Sequence, residues 1–118
     1  MKALIIDDNA IVLEGCRRIL EAENIDSATS SSVTEALQML ENGEYDLLLT
    51  DIIMPDKDGF YLIGEVRKRW PDLPIVVMSG YPTPEFIERI QQAGAVRFVP
   101  KPFTPKELLA EVRLALQL

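Results

Sequence analysis

The chain has 118 residues, 47% hydrophobic and 26% charged, with a net charge of −7, the composition of one soluble globular domain long enough to bury a core. A single cysteine, Cys16, and the absence of histidine exclude an internal disulfide, imidazole-based triads and His-containing zinc sites. The acidic balance disfavours nucleic acid or an anionic membrane as direct partner, because like charges repel over a Debye length of roughly 8–10 Å, and it favours metal cations or a basic protein surface.

In chain order, the first apolar run is "ALII" (3–6), short and β-rich. It is too brief for a membrane span, and Asp7 and Asp8 follow it too soon for a signal peptide, so a cytoplasmic location is expected. Asn9 can cap a first helix in which Val12, Cys16 and Ile19 recur at helical spacing, a face that buries Cys16. A second run, "IDSATS" (25–30), is more polar. Ser32 with Glu35 then opens a helix carrying Val33, Ala36, Leu37 and Leu40, which stops at Asn42-Gly43.

The third run, "DLLLT" (46–50), leads into Asp51. The helix after it carries Leu62, Ile63, Val66 and Trp70 and ends at Pro71. "IVVM" (75–78) precedes Ser79. Thr83-Pro84 starts a helix with Phe86, Ile87 and Ile90 that stops at Gly94. "VRFV" (96–99) precedes Lys101, and Thr104-Pro105 with Glu107 makes a capping box for a last helix bearing Leu108, Leu109, Val112, Leu114 and Leu116. That helix is apolar beyond one stripe, which points to a partner or dimer surface. Met39, Met54 and Met78 read as packing.

The expected fold is therefore α/β, a (βα)5 doubly wound parallel sheet spanning residues 1–118 as one domain. Strand starts roughly 20–30 residues apart leave room for crossover helices, so the strands run parallel. The runs at 3–6, 47–49 and 75–78 are apolar on both faces and suit central strands. Those at 25–30 and 96–99 carry Asp26, Ser27, Thr29 and Arg97 and suit edges, giving strand order 2-1-3-4-5.

Ligands of such sheets bind beyond the carboxyl ends of the strands. At those ends lie Asp7 and Asp8, Asp51, Ser79 and Lys101. Taken singly, each has a bland explanation: helix N-terminal charge preference, turn chemistry, surface charge. Together they converge on one edge. Carboxylates about 4–5 Å apart repel by roughly 3–4 kcal/mol at an effective dielectric near 20. Lys101 supplies one positive charge, and the remainder suggests a hard divalent cation such as Mg2+ with open positions for phosphoryl oxygens.

The motifs "IIDD" (5–8), "LLLTDIIMPDKDG" (47–59), "VVMSG" (76–80) and "VPKPF" (99–103), in this order and spacing, resemble the receiver domain of two-component response regulators, the family of the chemotaxis receiver. The resemblance covers Lys2 to Leu118 and implies a flavodoxin-like receiver fold. It implies that Asp51 is the nucleophile that takes a phosphoryl group from a phosphohistidine of a sensor histidine kinase or phosphotransfer protein. Asp8, Asp51 and the Ile53 carbonyl would ligate Mg2+ (or Mn2+), with Asp7 acting mainly through water. Lys101 would pair with Asp51 and then with the phosphoryl oxygens, Ser79 would move to the phosphoryl group, and Phe98 occupies the switch aromatic position. It also implies a cis Lys101-Pro102 bond, a downstream effector domain or protein, and a homodimer surface through helix 4, strand 5 and helix 5. No direct nucleic-acid or membrane partner is expected. Self-catalysed phosphorylation and dephosphorylation would be the only catalysis.

Ile53 and Tyr81, at two positions that vary in the family, are apolar or bulky, and the expectation is that they hinder an attacking water and lengthen the life of the aspartyl phosphate. Rival readings fit less well. An EF-hand loop centred on Gly59 puts Met54 at its first ligand position. A flavin-type phosphate cradle conflicts with the acidic "DDNA" (7–10), and a haloacid-dehalogenase site wants an acid where Ile53 stands. The remaining alternative is a receiver used as a docking module without phosphorylation. A stand-alone regulator and a part of a longer regulator or hybrid kinase suit the sequence equally.

Overall fold

The structure is a computed structural model that describes residues 1–53, 58–80 and 83–117. Met54 and Tyr81, read above as packing and as a bulky residue that hinders water, lie outside them. Strands β1 (Lys2–Ile6), β2 (Asp26–Ser30), β3 (Leu47–Asp51), β4 (Ile75–Ser79) and β5 (Arg97–Pro100) alternate with helices α1 (Ala10–Glu21), α2 (Val33–Asn42), α3 (Gly59–Arg69), α4 (Pro84–Ala93) and α5 (Pro105–Leu116). All pairings are parallel, in the order β2-β1-β3-β4-β5. The expected α/β class, strand order and edge positions are those observed.

The central strands explain the order. Every residue of β3 and β4 is buried, because helices cover both faces. Alternation sends Leu48, Ile75 and Val77 toward α2, α3 and α4, where they pack with Val33, Ile63, Val66 and Ile90. Leu47, Leu49, Val76 and Met78 point the other way and meet Cys16, Leu20, Leu108 and Val112 of α1 and α5. Each such Leu or Ile removed from water contributes about 1.5–3 kcal/mol. The edge strand β2 buries fully only Ser30.

The helix starts follow from their caps. Oδ1 of Asn9 accepts the Ile11 amide at 2.9 Å, Thr83 Oγ1 accepts that of Phe86, and the Thr104–Glu107 pair is bonded in both directions. Asp58, not foreseen, caps α3 by accepting the Tyr61 amide at 2.9 Å. Gly94 ends α4 at φ +122°, a backbone angle that suits glycine. Trp70 caps the C-terminal end of α3, packs half-buried on the α2–α4 side of the core, and is covered by the Arg69 guanidinium at 4.6 Å.

Arg67 ties the far end of this layer together, and nothing local in the sequence announces it. Its guanidinium donates to the Gly94 carbonyl through Nε at 3.0 Å and Nη2 at 2.7 Å, and to the Leu73 carbonyl at 2.7 Å. Carbonyls at the end of α4 and in the loop between α3 and β4 are thus satisfied by one planar cation.

Cys16 is 1% exposed, and its thiol donates to Met78 Sδ at 3.7 Å. Burial, reinforced by the nearby Asp7 carboxylate, pushes the thiol pKa up to about 11. The folded protein should therefore leave Cys16 unreacted with a thiol reagent at pH 8 and label it fully in denaturant. The folded pKa lies above the unfolded one, so this contribution to stability is complete below about pH 9 and lost as pH rises toward about 11. Urea midpoints of wild type and Cys16→Ala should therefore converge over that interval.

Candidate functional site

The site forms where β1, β3 and β4 end and β5 turns into α5. At the end of β1, Asp7 is fully buried and Asp8 is exposed. Oδ1 of Asp7 accepts the Asn9 amide at 2.9 Å, so the residue that caps α1 also orients the buried carboxylate. Asp51, 9% exposed, closes β3. Its Oδ1 accepts the Ile52 amide at 2.7 Å and, more distantly, the Ile53 amide at 3.4 Å.

Lys101 closes the arrangement. Its ammonium donates to Asp7 Oδ2 at 2.6 Å and to Asp51 Oδ2 at 3.0 Å. Burial by itself would lower the lysine pKa, but the hydrogen bonds to Asp7 and Asp51 outweigh it and hold the group above its ordinary value. It is charged throughout the physiological range. The sequence led us to expect the Asp51 contact; the shorter one to Asp7 was missed, since two adjacent aspartates do not reveal which turns inward. The Lys101-Pro102 bond is cis, as expected.

Carboxylate oxygens of Asp7, Asp8 and Asp51 all lie within 4.8 Å of one another. Three anionic groups facing one ammonium leave negative charge in excess, and the donors are hard oxygens. That chemistry fits a divalent cation of the Mg2+ type rather than a soft metal. Both oxygens of Asp7 and both of Asp51 already accept hydrogen bonds, and Asp8 is the exposed carboxylate of the three.

Ser79 is 1% exposed and ends β4, one residue beyond the Asp51–Met78 register pair. Its carbonyl accepts the Lys101 amide at 2.8 Å, linking the ends of β4 and β5. The Ile53 side chain is 55% exposed. Phe98 is half-buried and packs on the α2–α4 side of the core. Asp7, Asp8, Asp51 and Lys101 thus come together directly, Ser79 and Ile53 adjoin them, and Phe98 stands apart on β5. Sequence reasoning overlooked Thr50, fully buried beside Asp51, because a threonine in an apolar strand reads as packing.

Residues 3–113 match the family described as the response regulator receiver domain. The chain belongs to this family. Among relatives of the receiver, the response regulator MprA of Mycobacterium avium is 34% identical over 119 residues, which cover 99% of this chain and 51% of MprA. The sensor kinase CckA of Brucella abortus is 33% identical over 97% of this chain and 12% of its own length. The receiver therefore spans at most about half of these relatives. Among solved structures, a two-component response regulator from Clostridium difficile superposes with a TM-score of 0.93 at 27% identity, covering 99% of this chain and 96% of that one. A CheY-like receiver domain protein from Methanospirillum hungatei does so with 0.92 at 30%, covering 98% and 93%. No helix among the described residues is long and apolar enough to cross a membrane.

Proposed function

We propose that this receiver is a phosphoacceptor, with Asp51 taking a phosphoryl group from the phosphohistidine of a sensor kinase or phosphotransfer protein. The observation that carries the reading is the Asp51 carboxylate itself, held at the open end of a buried strand between Lys101 and the two N-terminal aspartates. An oxygen of Asp51 attacks phosphorus as the P–N bond breaks, and the leaving imidazole keeps the electron pair. An ionised aspartate needs no base, so no histidine is required of this chain. Positioning and charge neutralisation supply most of such catalysis.

Asp8, Asp51 and the Ile53 carbonyl would hold Mg2+ or Mn2+, with Asp7 acting through water, and the cation would neutralise charge on the phosphoryl oxygens. Lys101 neutralises further charge from the side of β5. Ser79 is the group that follows the new phosphoryl oxygens, and Phe98 on the neighbouring strand reports the change to the α4–β5–α5 surface. On that surface Val96 and Leu114 are 47% and 56% exposed, apolar area suited to an effector or to a second copy. A solution structure of the beryllofluoride-activated NtrC4 receiver domain is a dimer, with a TM-score of 0.93 at 25% identity.

Acetyl phosphate with Mg2+ tests the proposal. Wild type should gain one phosphoryl group by mass, and Asp51→Asn or added EDTA should abolish the gain. No incorporation into wild type would favour a docking module that works without phosphorylation. Decay after donor removal, expected over minutes rather than seconds, reads the shielding assigned to Ile53.

A further inference from the structure

We propose that Thr50 is a positioning residue for Asp51: its hydroxyl grips the Asp51 carbonyl, and through that peptide plane it aims the carboxylate. The inference rests on the phosphoacceptor reading above for its consequence, though not for its geometry. Thr50 is fully buried. Its register partners on the two neighbouring strands are Ile6 and Val77, both also fully buried. Leu48 and Ile52 share its face of the strand, within the core against α2, α3 and α4.

A valine would fill such a position with the same shape and no hydroxyl to desolvate. A buried hydroxyl costs roughly 1–3 kcal/mol unless it finds a partner. The partner here is local: Thr50 Oγ1 donates to the carbonyl oxygen of Asp51 at 2.7 Å. The other end of the same peptide is held as well, since the Ile52 N–H donates to Asp51 Oδ1 at 2.7 Å.

A peptide unit is planar, so fixing its oxygen fixes the direction of its N–H. Thr50 therefore sets the orientation of the Ile52 N–H, and that N–H sets one oxygen of the Asp51 carboxylate. Lys101 holds the other. Without the hydroxyl, the peptide could rock at the point where β3 ends, and the nucleophile would sample poorer angles of attack.

The test uses Thr50→Val and Thr50→Ala, which remove the hydroxyl, and Thr50→Ser, which keeps it. Amide exchange of Ile52 is followed by NMR and phosphorylation by acetyl phosphate at saturating donor and Mg2+. Both hydroxyl-less variants should exchange Ile52 about tenfold faster and accept phosphate about tenfold more slowly, with serine within about twofold of wild type. Wild-type exchange and rate in Thr50→Val, or a serine variant as impaired as valine, would overturn the inference and assign Thr50 to packing alone. Failure of wild type to be phosphorylated would overturn the phosphoacceptor reading instead, and the exchange measurement would still decide the role of Thr50.

Discussion

Replacing Lys101 by methionine should lower stability at pH 7 by about 2–3 kcal/mol and slow phosphorylation at least a hundredfold. Methionine keeps the length and apolar stem of the side chain and removes only its charge. Asp7, with no exposure, and Asp51 then lose the ammonium that bonds both of them. Leaving a buried charge without its partner costs about 3–5 kcal/mol, a figure reduced here because Lys101 is itself 24% exposed. The rate loss follows from removing a donor aimed at charge that develops on the phosphoryl group, worth roughly a hundredfold or more. Millimolar Mg2+ should stabilise the variant more than wild type, because in wild type the ammonium already balances part of the charge. Urea denaturation with and without Mg2+ gives the comparison; equal Mg2+ effects in both proteins would refute this account of the acidic cluster. In wild type the folded Lys101 pKa is raised, so its contribution is complete below the unfolded lysine value and is lost as pH climbs through the raised one.

The strands were legible because β1, β3 and β4 are apolar on both faces, a pattern that only coverage by two helical layers explains. The starts of α1, α4 and α5 were legible because Asn9, Thr83 and Thr104 are local signals that act within three residues of themselves. Asp7, Asp8, Asp51, Ser79 and Lys101 were legible as a set because the strand order sends every strand end to one edge. The pairings inside that set were not. Whether Asp7 or Asp8 turns inward depends on the Asn9 amide, and the reach of Lys101 to Asp7 spans 94 residues of sequence. Arg67 was invisible for the same reason, since its partners are backbone carbonyls, which every residue has. Thr50 shows the opposite difficulty: its partner is the adjacent residue, but a threonine suits a strand so well that nothing in the sequence asks for a second role.

Gly59→Ala should be strongly destabilising, costing roughly 3 kcal/mol. A Cβ at Gly59 would lie 2.6 Å from the Asp51 carbonyl oxygen, 2.6 Å from Ile52 Cα and 2.9 Å from Ile52 Cδ1. Two of those atoms are backbone at the end of β3, a strand paired on both sides, and so cannot step aside. Helix α3 must retreat instead, which breaks the 2.6 Å bond from the Gly59 amide to the Ile52 carbonyl and loosens Leu62, Ile63 and Val66 in the core. Overpacking of this kind costs about 1–3 kcal/mol where side chains can adjust, and the upper end applies where backbone is struck. For a domain of about 100 residues that is a fall of roughly 12–20 °C in Tm. The retreat of α3 frees the Ile52 carbonyl, one residue beyond Asp51, so phosphorylation should slow more than tenfold even at temperatures where the variant is fully folded. Gly64→Ala on the same helix is the control. Nothing lies within 4 Å of its Cβ, and removing glycine from a helix interior should stabilise by roughly 0.5–1 kcal/mol. Thermal denaturation of the two variants side by side decides the matter: a Gly59→Ala protein as stable as wild type would show that α3 does not rest on the end of β3 as described.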